Sequence, residues 1–297
     1  MASEVMAVAV PVAETKSARK PARRRRGRFY WLRLAIAIVV TVVMVFPVYW
    51  MIITSLEPQA DIYRAGLHWW PAHFTFYNFT NPFHMFPVGR WFVNSTLITV
   101  AVTAITVVCN LLAGYAFAKL RFRGRNALFL LLLSTMMIPV QAVMVAQYKL
   151  SIHLHLYGNY WAVILPESAT VFGIFLARQF FVAIPDELIE AARVDGAGSL
   201  RTFTSIVLPL CKPLIAVLTL LTALTEWNSF AWPLVVLFGN QQLFTLTVGM
   251  AADFQSQYST NYGELMATNL LMIAPMVVLF FAFQRYFVQG LARTGIK

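Results

Sequence analysis

The sequence contains little charge. Aspartate, glutamate, lysine and arginine make up 12% of its 297 residues, whereas 59% of the residues are hydrophobic. Soluble globular domains carry about 25% charged residues. A chain with so few charges has too little polar surface to cover a water-soluble fold. The composition therefore excludes a soluble enzyme or binding domain and predicts one integral membrane domain.

Several common functional sites are also missing. The two cysteines, Cys109 and Cys211, lie far apart in apolar stretches, which is typical of small buried side chains and not of a disulfide framework. The histidines lack metal-ligand spacing, so we expect no metal site. The chain has no G-x-x-x-x-G-K-[ST] phosphate loop, H-E-x-x-H or G-x-S-x-G motif. These absences argue against an intramembrane enzyme, and ATP could not be hydrolysed by this chain alone.

Long apolar runs are the main feature that is present. A membrane-spanning helix needs about 20 apolar residues. Six stretches reach that length, and they are predicted to be transmembrane helices at 34–56, 94–119, 127–147, 160–181, 206–234 and 268–287. The predicted fold is an all-α integral membrane domain over 29–297, preceded by a disordered basic tail over 1–28.

The positive charges predict the orientation of these helices. Of the 23 lysines and arginines, all but Arg64, Arg90 and Lys149 fall on one side of the predicted membrane. Basic residues mark the cytoplasmic side, so both termini are expected in the cytoplasm. The net charge of +11 is then a topology signal and a contact for anionic lipid, and it does not indicate nucleic-acid binding.

The predicted cytoplasmic loop at about 184–205 contains a short helix of about nine residues. Pro185 suits the start of a helix, where its missing N–H costs nothing. Asp186 and Glu187 follow in the first turn and favour the positive helix end. Gly196 supplies the left-handed residue that ends the helix.

One face of this helix is predicted to meet another protein. A stripe at helical spacing runs through Leu188, Ala191, Ala192 and Asp195. The two alanines leave that stripe flat, so a partner could approach closely. A second helix is predicted from Ser199 into Leu208-Pro209, which would connect the loop to the fifth span. An ordinary amphipathic helix at the membrane interface is the alternative.

Two acidic residues are predicted inside the spans. Glu167, which follows Pro166, lies within span 4, where a carboxylate costs at least about 2.5 kcal/mol unless it faces a partner or a wet cavity. Glu226 lies near the outer end of span 5, beside Trp227 and Asn228. An acid, an amide and an indole together suit sugar hydroxyls and an apolar ring face. The alternatives are a structural hydrogen bond for Glu167, pairing for Glu226, and membrane-interface anchoring for Trp227.

The loop carries a known pattern. The residues that match it are Glu190-Ala191-Ala192, Asp195-Gly196-Ala197, Phe203, Ile206, Leu208-Pro209 and Pro213. They resemble the "EAA" loop of inner-membrane permease subunits of ABC importers. Further matches at Tyr115–Lys119, Arg178-Gln179-Phe180-Phe181, Trp232-Pro233-Leu234 and Phe287–Leu291 extend the resemblance to the carbohydrate branch of maltose-type (MalG-like) permeases.

The resemblance implies a role in ATP-driven carbohydrate import across a bacterial or archaeal inner membrane. It implies three kinds of partner: a second permease subunit, two ATPase subunits that bind ATP and magnesium, and an extracytoplasmic substrate-binding protein. This chain itself would need no cofactor. The residues that would couple to the ATPase are Glu190, Ala191, Ala192, Asp195, Gly196, Ala197, Leu208 and Pro209.

Two further expectations concern the outer side and the energy source. The outer loop 57–93 is expected to dock the binding protein through the aromatic and histidine residues Trp69, Trp70, Trp91, His68, His73 and His84.

The main alternative function is a secondary transporter driven by an ion gradient. In that case Glu167 and Glu226 would be proton or cation sites.

Overall fold

The structure, a computed structural model, describes residues 28–64, 69–254 and 261–294. These ranges contain helices and turns and no β-strand. The α-helices are α1 Arg28–Ser55, α2 Gln59–Ile62, α3 Tyr77–Met85, α4 Val88–Lys119, α5 Arg125–Ser134, α6 Val140–His153, α7 Trp161–Glu167, α8 Val171–Val182, α9 Asp186–Val194, α10 Ser199–Thr202, α11 Leu208–Leu210, α12 Lys212–Trp227, α13 Ala231–Leu237, α14 Leu246–Gly249 and α15 Tyr262–Thr294. A π-helical turn, Phe203–Val207, joins α10 to α11.

The lengths of these helices support a membrane domain. Within the described ranges, four helices are long and apolar enough to cross a membrane: Phe29–Ser55, Val88–Lys119, Trp161–Val182 and Tyr262–Arg285. The number rises to six only if each of two bent pairs is counted as one span. The predicted all-α fold is therefore confirmed, whereas the exact count of six transmembrane helices is not.

Prolines account for the two bent pairs. The predicted span 127–147 bends by 100° between Met137 and Val140, because Pro139 removes a backbone donor and cannot continue the helix. The predicted span 206–234 bends by 79° at Cys211, between Pro209 and Pro213. Within the same predicted span, α12 ends at Trp227 and a separate helix, α13, begins at Ala231. The predicted second helix, from Ser199 into Leu208-Pro209, is present and connects the loop to α12 through the 79° bend.

The chain divides into two compact units between Tyr49 and Trp50. In the first unit, every described side chain of α1 from Phe29 to Val48 is exposed, although nearly all are apolar. A helix that is apolar all round suits a lipid environment. The predicted basic tail over 1–28 lies outside the described residues, except for the backbone of Arg28, which begins α1.

The second unit has two clusters of buried side chains. One forms around the fully buried Trp91 and includes Trp232 and Val236. Hydrogen bonds from the Asn94 amide to the Phe244 carbonyl (2.9 Å) and from the Tyr160 hydroxyl to Asn94 (2.8 Å) join predicted outer segments there. These bonds bring the predicted outer segments of three different loops to one end of the unit.

The other cluster joins segments predicted to be cytoplasmic. Tyr115, near the end of α4, packs on Phe181 of α8 and on Phe203 of the π-helical turn, with ring centroids 5.7 and 4.9 Å apart. Ile189 of α9 belongs to the same cluster. The loop helix is thus part of the folded body of this unit.

Helices α4 and α8 approach closely at a glycine. A Cβ atom on Gly114 would lie 2.5 Å from the Ala177 Cβ and 2.9 Å from the backbone nitrogen of Arg178. Both distances are far shorter than van der Waals contact. No flexible side chain can move aside here, so the two helices require glycine at this position.

We therefore expect Gly114→Ala to destabilise the protein. Overpacking of this kind costs about 1–3 kcal/mol, and the variant should unfold at a lower temperature in detergent. Gly89→Ala is the matched control in the same helix, because its nearest neighbour is a Phe83 ring carbon at 3.9 Å, an ordinary contact. Equal melting temperatures for the two variants would contradict the close approach of α4 and α8.

Candidate functional site

The loop helix α9 has the predicted ends. It begins after Pro185, carries Asp186 and Glu187 in its first turn, and ends at Val194. Gly196 has a φ of +79°, and its N–H donates to the Arg193 carbonyl at 3.0 Å. The Ala197 N–H donates to the Ala192 carbonyl at 2.9 Å. This pair of bonds closes the helix in the manner that a left-handed glycine permits.

The two faces of α9 differ from the predicted stripe. Ile189 and Ala192 are buried against the body of the protein, whereas Glu190, Ala191 and Asp195 are exposed. Three of the four residues of the predicted stripe, Leu188, Ala191 and Asp195, are thus exposed, and Ala192 is the one that packs inward.

The remaining predicted coupling residues lie around the second half of the loop. Leu208 packs against the cluster that contains Tyr115 and Phe203, and Pro209 is exposed just before the 79° bend. Gly196 and Ala197 form the turn between α9 and α10. These residues shape and anchor the loop, while the exposed side chains of α9 form its outward face.

Exposed apolar side chains extend this outward face, and the sequence analysis missed them. Val194 is 87% exposed at the end of α9, and Leu200 is 72% exposed in α10. Both lie beside exposed charged residues. In the sequence, each of these apolar residues stands next to a charged residue of the loop. Such a position predicts an exposed apolar side chain, but neither residue belongs to the predicted helical stripe.

A buried lysine fixes the start of α9 to the end of α4. The Lys119 side chain is 7% exposed, and its Nζ lies 2.6 Å from both the Ile184 carbonyl oxygen and the Asp186 Oδ1. We call this contact the α4–α9 tether. It connects the loop to a span distant in sequence, in addition to the chain connection through α8.

The tether sets the pH range over which Asp186 stays ionised. The hydrogen bond and charge of Lys119 lower the pKa of Asp186 below its ordinary value of 3.8. A lowered pKa means that the contact is complete above the ordinary aspartate range and is lost only as pH falls through the lowered pKa. We expect thermal stability of the wild type to be insensitive to this group from pH 5 to 8, with loss only below about pH 4. In Asp186→Asn, thermal stability should no longer fall below about pH 4 because of this contact. If stability of the wild type, but not of Asp186→Asn, changed near pH 6, the lowered pKa of Asp186 would be contradicted.

The predicted span 4 is interrupted at its acidic residue. Helix α7 ends at Glu167 directly after Pro166, and α8 begins at Val171 after Thr170. The hydroxyl of Thr106 in α4 donates to the Glu167 carbonyl at 3.2 Å. A neighbouring helix thus satisfies a backbone group freed by the break, as membrane interiors require.

A cavity of about 240 Å³ lies beside this break. Its polar lining residues are Glu167, Thr170, Thr222, Thr225 and Glu226. Glu226 is only 6% exposed. The structure therefore brings together the two acidic residues that the sequence analysis placed on different spans, and it adds three threonines that the sequence analysis did not select.

Trp227 and Asn228 do not line this cavity. The Trp227 indole N–H donates to the Met272 carbonyl at 2.9 Å, and its ring is buried in the cluster around Trp91. The Asn228 amide donates to the Leu224 carbonyl at 2.7 Å and closes α12. Both side chains therefore donate to backbone carbonyl groups and lie outside the cavity lining.

The outer loop presents only part of the expected docking surface. Trp69 and Trp70 are exposed, but Trp91 is fully buried and donates to the Gln241 carbonyl at 3.0 Å. His73 lies 2.9 Å from the buried Asp61. His68 lies outside the described residues.

The chain is similar along most of its length to known permease subunits. It is 37% identical over 270 residues to the arabinooligosaccharides transport system permease protein AraQ of Halalkalibacterium halodurans, covering 90% of this chain and 96% of that protein. It is 33% identical over 280 residues to AraQ of Bacillus subtilis, covering 92% and 99%. It is 31% identical over 274 residues to the sn-glycerol-3-phosphate transport system permease protein UgpE of Yersinia pestis bv. Antiqua, covering 90% and 97%.

A solved structure shares the fold. It is a chain of a bacterial ABC transporter involved in the import of the acidic polysaccharide alginate, with a TM-score of 0.80, 22% identity, and coverage of 90% of this chain and all of that chain. The broken apolar spans and the helical loop thus have the fold of that importer chain. The family described as the binding-protein-dependent transport system inner membrane component matches residues 110–293. The chain belongs to this family.

Family membership confirms the resemblance found in the sequence. The chain is an inner-membrane permease subunit of an ABC-type import system. The ion-gradient-driven alternative is not supported, because the relatives above are permease subunits of transport systems.

Proposed function

We propose that this chain forms half of the pathway of an ATP-driven carbohydrate importer. The observation that carries the proposal is the identity of 33–37%, over nearly the full chain, to two permeases named for arabinooligosaccharides. The cavity beside Glu167 and Glu226 supports it, because carboxyl and hydroxyl groups accept hydrogen bonds from sugar hydroxyls. These two residues are the candidate pathway residues, whereas the positions of Trp227 and Asn228 favour structural roles.

The proposed assembly contains three kinds of partner. A second permease subunit would complete the pathway, two ATPase subunits would bind ATP and magnesium, and an extracytoplasmic binding protein would deliver substrate. The family description names binding-protein dependence and an inner-membrane location. The sequence has no phosphate loop of its own, which supports hydrolysis by a separate subunit. The exposed Trp69 and Trp70 are the remaining aromatic candidates for docking the binding protein.

The proposed ATPase contact is the outward face of the loop. It combines the exposed Glu190, Ala191 and Asp195 with the apolar Val194 and Leu200. The α4–α9 tether supports this role, because it connects the loop directly to a long span. The tether also joins two segments that the charge distribution assigns to the cytoplasm, which supports cytoplasmic termini.

Uptake into proteoliposomes tests this function. The complex would be purified from its source membrane through a tag on this chain and reconstituted with its binding protein. We expect uptake of labelled arabino-oligosaccharide that requires ATP and is unaffected by ionophores that collapse ion gradients. Uptake that continues without ATP and stops with an ionophore would contradict the proposal.

A further inference from the structure

The cavity beside the break in span 4 is lined by two carboxyl groups and three threonine hydroxyls. Glu167 and Glu226 both line it, and no lysine, arginine or histidine is among its described lining residues. Its remaining surface comes from threonines and apolar side chains. A charged group in such a cavity interacts with its neighbours far more strongly than it would in water.

The acidic groups of this cavity have no donors from the protein. Glu226 is more than nine-tenths buried, and among the described residues no side chain or backbone group donates a hydrogen bond to the carboxylate of either acid. Lys119, by contrast, is a buried charge with two partners at 2.6 Å. A buried polar group without a hydrogen-bond partner is costly, so the two carboxyl groups favour a ligand that supplies donors.

A neighbour of the lining residue Thr170 also has a hydrogen-bond acceptor without a donor. Asn110 of α4 is fully buried, its amide nitrogen donates to the Thr170 hydroxyl at 3.1 Å, and its carbonyl oxygen has no donor among the described residues. Asn110 also packs against Gly173, where any added Cβ would collide with its amide. The break in span 4 is therefore held close to a polar group that retains an unused acceptor.

We propose that this cavity is a substrate site for hydroxyl-rich molecules without negative charge, and that it excludes phosphate esters and uronic acids. The two carboxyl groups and the three threonine hydroxyls would accept hydrogen bonds from the hydroxyls of a neutral carbohydrate. A phosphate or carboxylate in the same space would face two acidic groups, and none of the described lining residues is a basic side chain that could pair with it. The inference rests on the proposed function, because it treats the cavity as part of the carbohydrate pathway.

The proposal separates two substrate chemistries found among the relatives. AraQ is named for arabinooligosaccharides and UgpE for sn-glycerol-3-phosphate, an anion. Identity to UgpE is slightly lower than to AraQ, 31% against 33–37%, and the lining of the cavity is evidence independent of identity. Its two acidic residues, with no basic residue among the described lining residues, favour the neutral class.

Charged thiol reagents measure this selectivity without knowledge of the natural substrate. The reporter is Thr225→Cys, an exposed position in the cavity lining, in a full chain with Cys109→Ser and Cys211→Ala, assembled with its partners in membrane vesicles. The probes are methanethiosulfonate reagents bearing ethylammonium, hydroxyethyl or ethylsulfonate groups. Each rate is divided by the rate with free glutathione. Leu154→Cys, an exposed position that is not part of the cavity lining, is the control.

We expect the cationic reagent to react at least about tenfold faster than the anionic one at Thr225→Cys, which corresponds to ~1.4 kcal/mol. The neutral reagent should fall between them. The combined change Glu167→Gln and Glu226→Gln should bring the ratio close to one, the value expected at Leu154→Cys. Equal rates for the two charged reagents in the unaltered cavity, or no reaction with any reagent, would overturn the proposal.

Uptake in matching vesicles that contain the wild-type chain separates this inference from the proposed function. ATP-dependent arabino-oligosaccharide uptake with no charge selection at Thr225→Cys would leave the carbohydrate importer standing and refute the selective cavity. Charge selection without such uptake would uphold the acidic, water-accessible cavity and refute the carbohydrate assignment.

Discussion

Gly196→Val should abolish ATP-driven transport while the assembled complex remains in the membrane. Gly196 has a φ of +79°, a conformation that costs a residue with a Cβ roughly 1–2 kcal/mol and a β-branched residue the most. No atom lies within 4 Å of the Cβ position, so the effect is backbone strain and not a collision. The strain would be relieved by opening the turn that ends α9, and the outward face of the loop would lose its orientation. The measurement is uptake into proteoliposomes together with recovery of the complex.

Gly198→Ala is the matched control in the same turn. Gly198 also has open space around its Cβ position, but its φ of −67° suits any residue. Transport in this variant should be close to the wild type. Glu190→Lys changes the charge of the outward face without touching the backbone, and it should also abolish transport. Normal transport in both Gly196→Val and Glu190→Lys would show that this loop does not couple the subunits.

Lys119→Met should reduce transport at least about tenfold by releasing the α4–α9 tether. The substitution keeps the apolar stem and removes the ammonium group, which is buried and bonded to the Ile184 carbonyl and to Asp186 at 2.6 Å. A hydrogen bond to a charged group contributes about 1.5–3 kcal/mol. Without it, α9 can move without moving α4, so ATP hydrolysis should continue while uptake falls. The measurement is the ratio of sugar molecules imported to ATP molecules hydrolysed.

Lys212→Met controls for the loss of a cytoplasmic lysine, because Lys212 is exposed at the start of α12. Asp186→Asn should give a smaller loss than Lys119→Met, since Lys119 would keep the Ile184 carbonyl and an amide oxygen as acceptors. An unchanged import-to-hydrolysis ratio in Lys119→Met would mean that the tether has only a stabilising role.

Local chemistry made the loop predictable from the sequence. Pro185 and Gly196 have strong conformational preferences of their own, so both ends of α9 could be predicted without knowledge of the surroundings. The long apolar runs likewise gave α1, α4 and α15 with errors only at their ends. Family resemblance then supplied the class of transporter, which the comparisons with known permeases confirm.

Features that depend on contacts between distant segments were not predictable in this way. Composition indicated that 206–234 could span a membrane, but Pro209 and Pro213 bend the chain at Cys211. The side of α9 that faces inward depends on Phe203 and Tyr115, which lie on other segments. The pairing of Lys119 with Asp186 and the shared cavity of Glu167 and Glu226 require the fold itself, because no sequence spacing relates these residues.

The central claim is that the outward face of the loop binds an ATPase subunit, and photo-crosslinking tests it most directly. A photoreactive phenylalanine analogue would replace Val194, which is 87% exposed at the end of α9, in the complex assembled in its own membrane. The account predicts one dominant protein adduct, with a partner that contains a G-x-x-x-x-G-K-[ST] phosphate loop, and a yield that changes when ATP is added. Adducts confined to lipid or to the second permease subunit would contradict it.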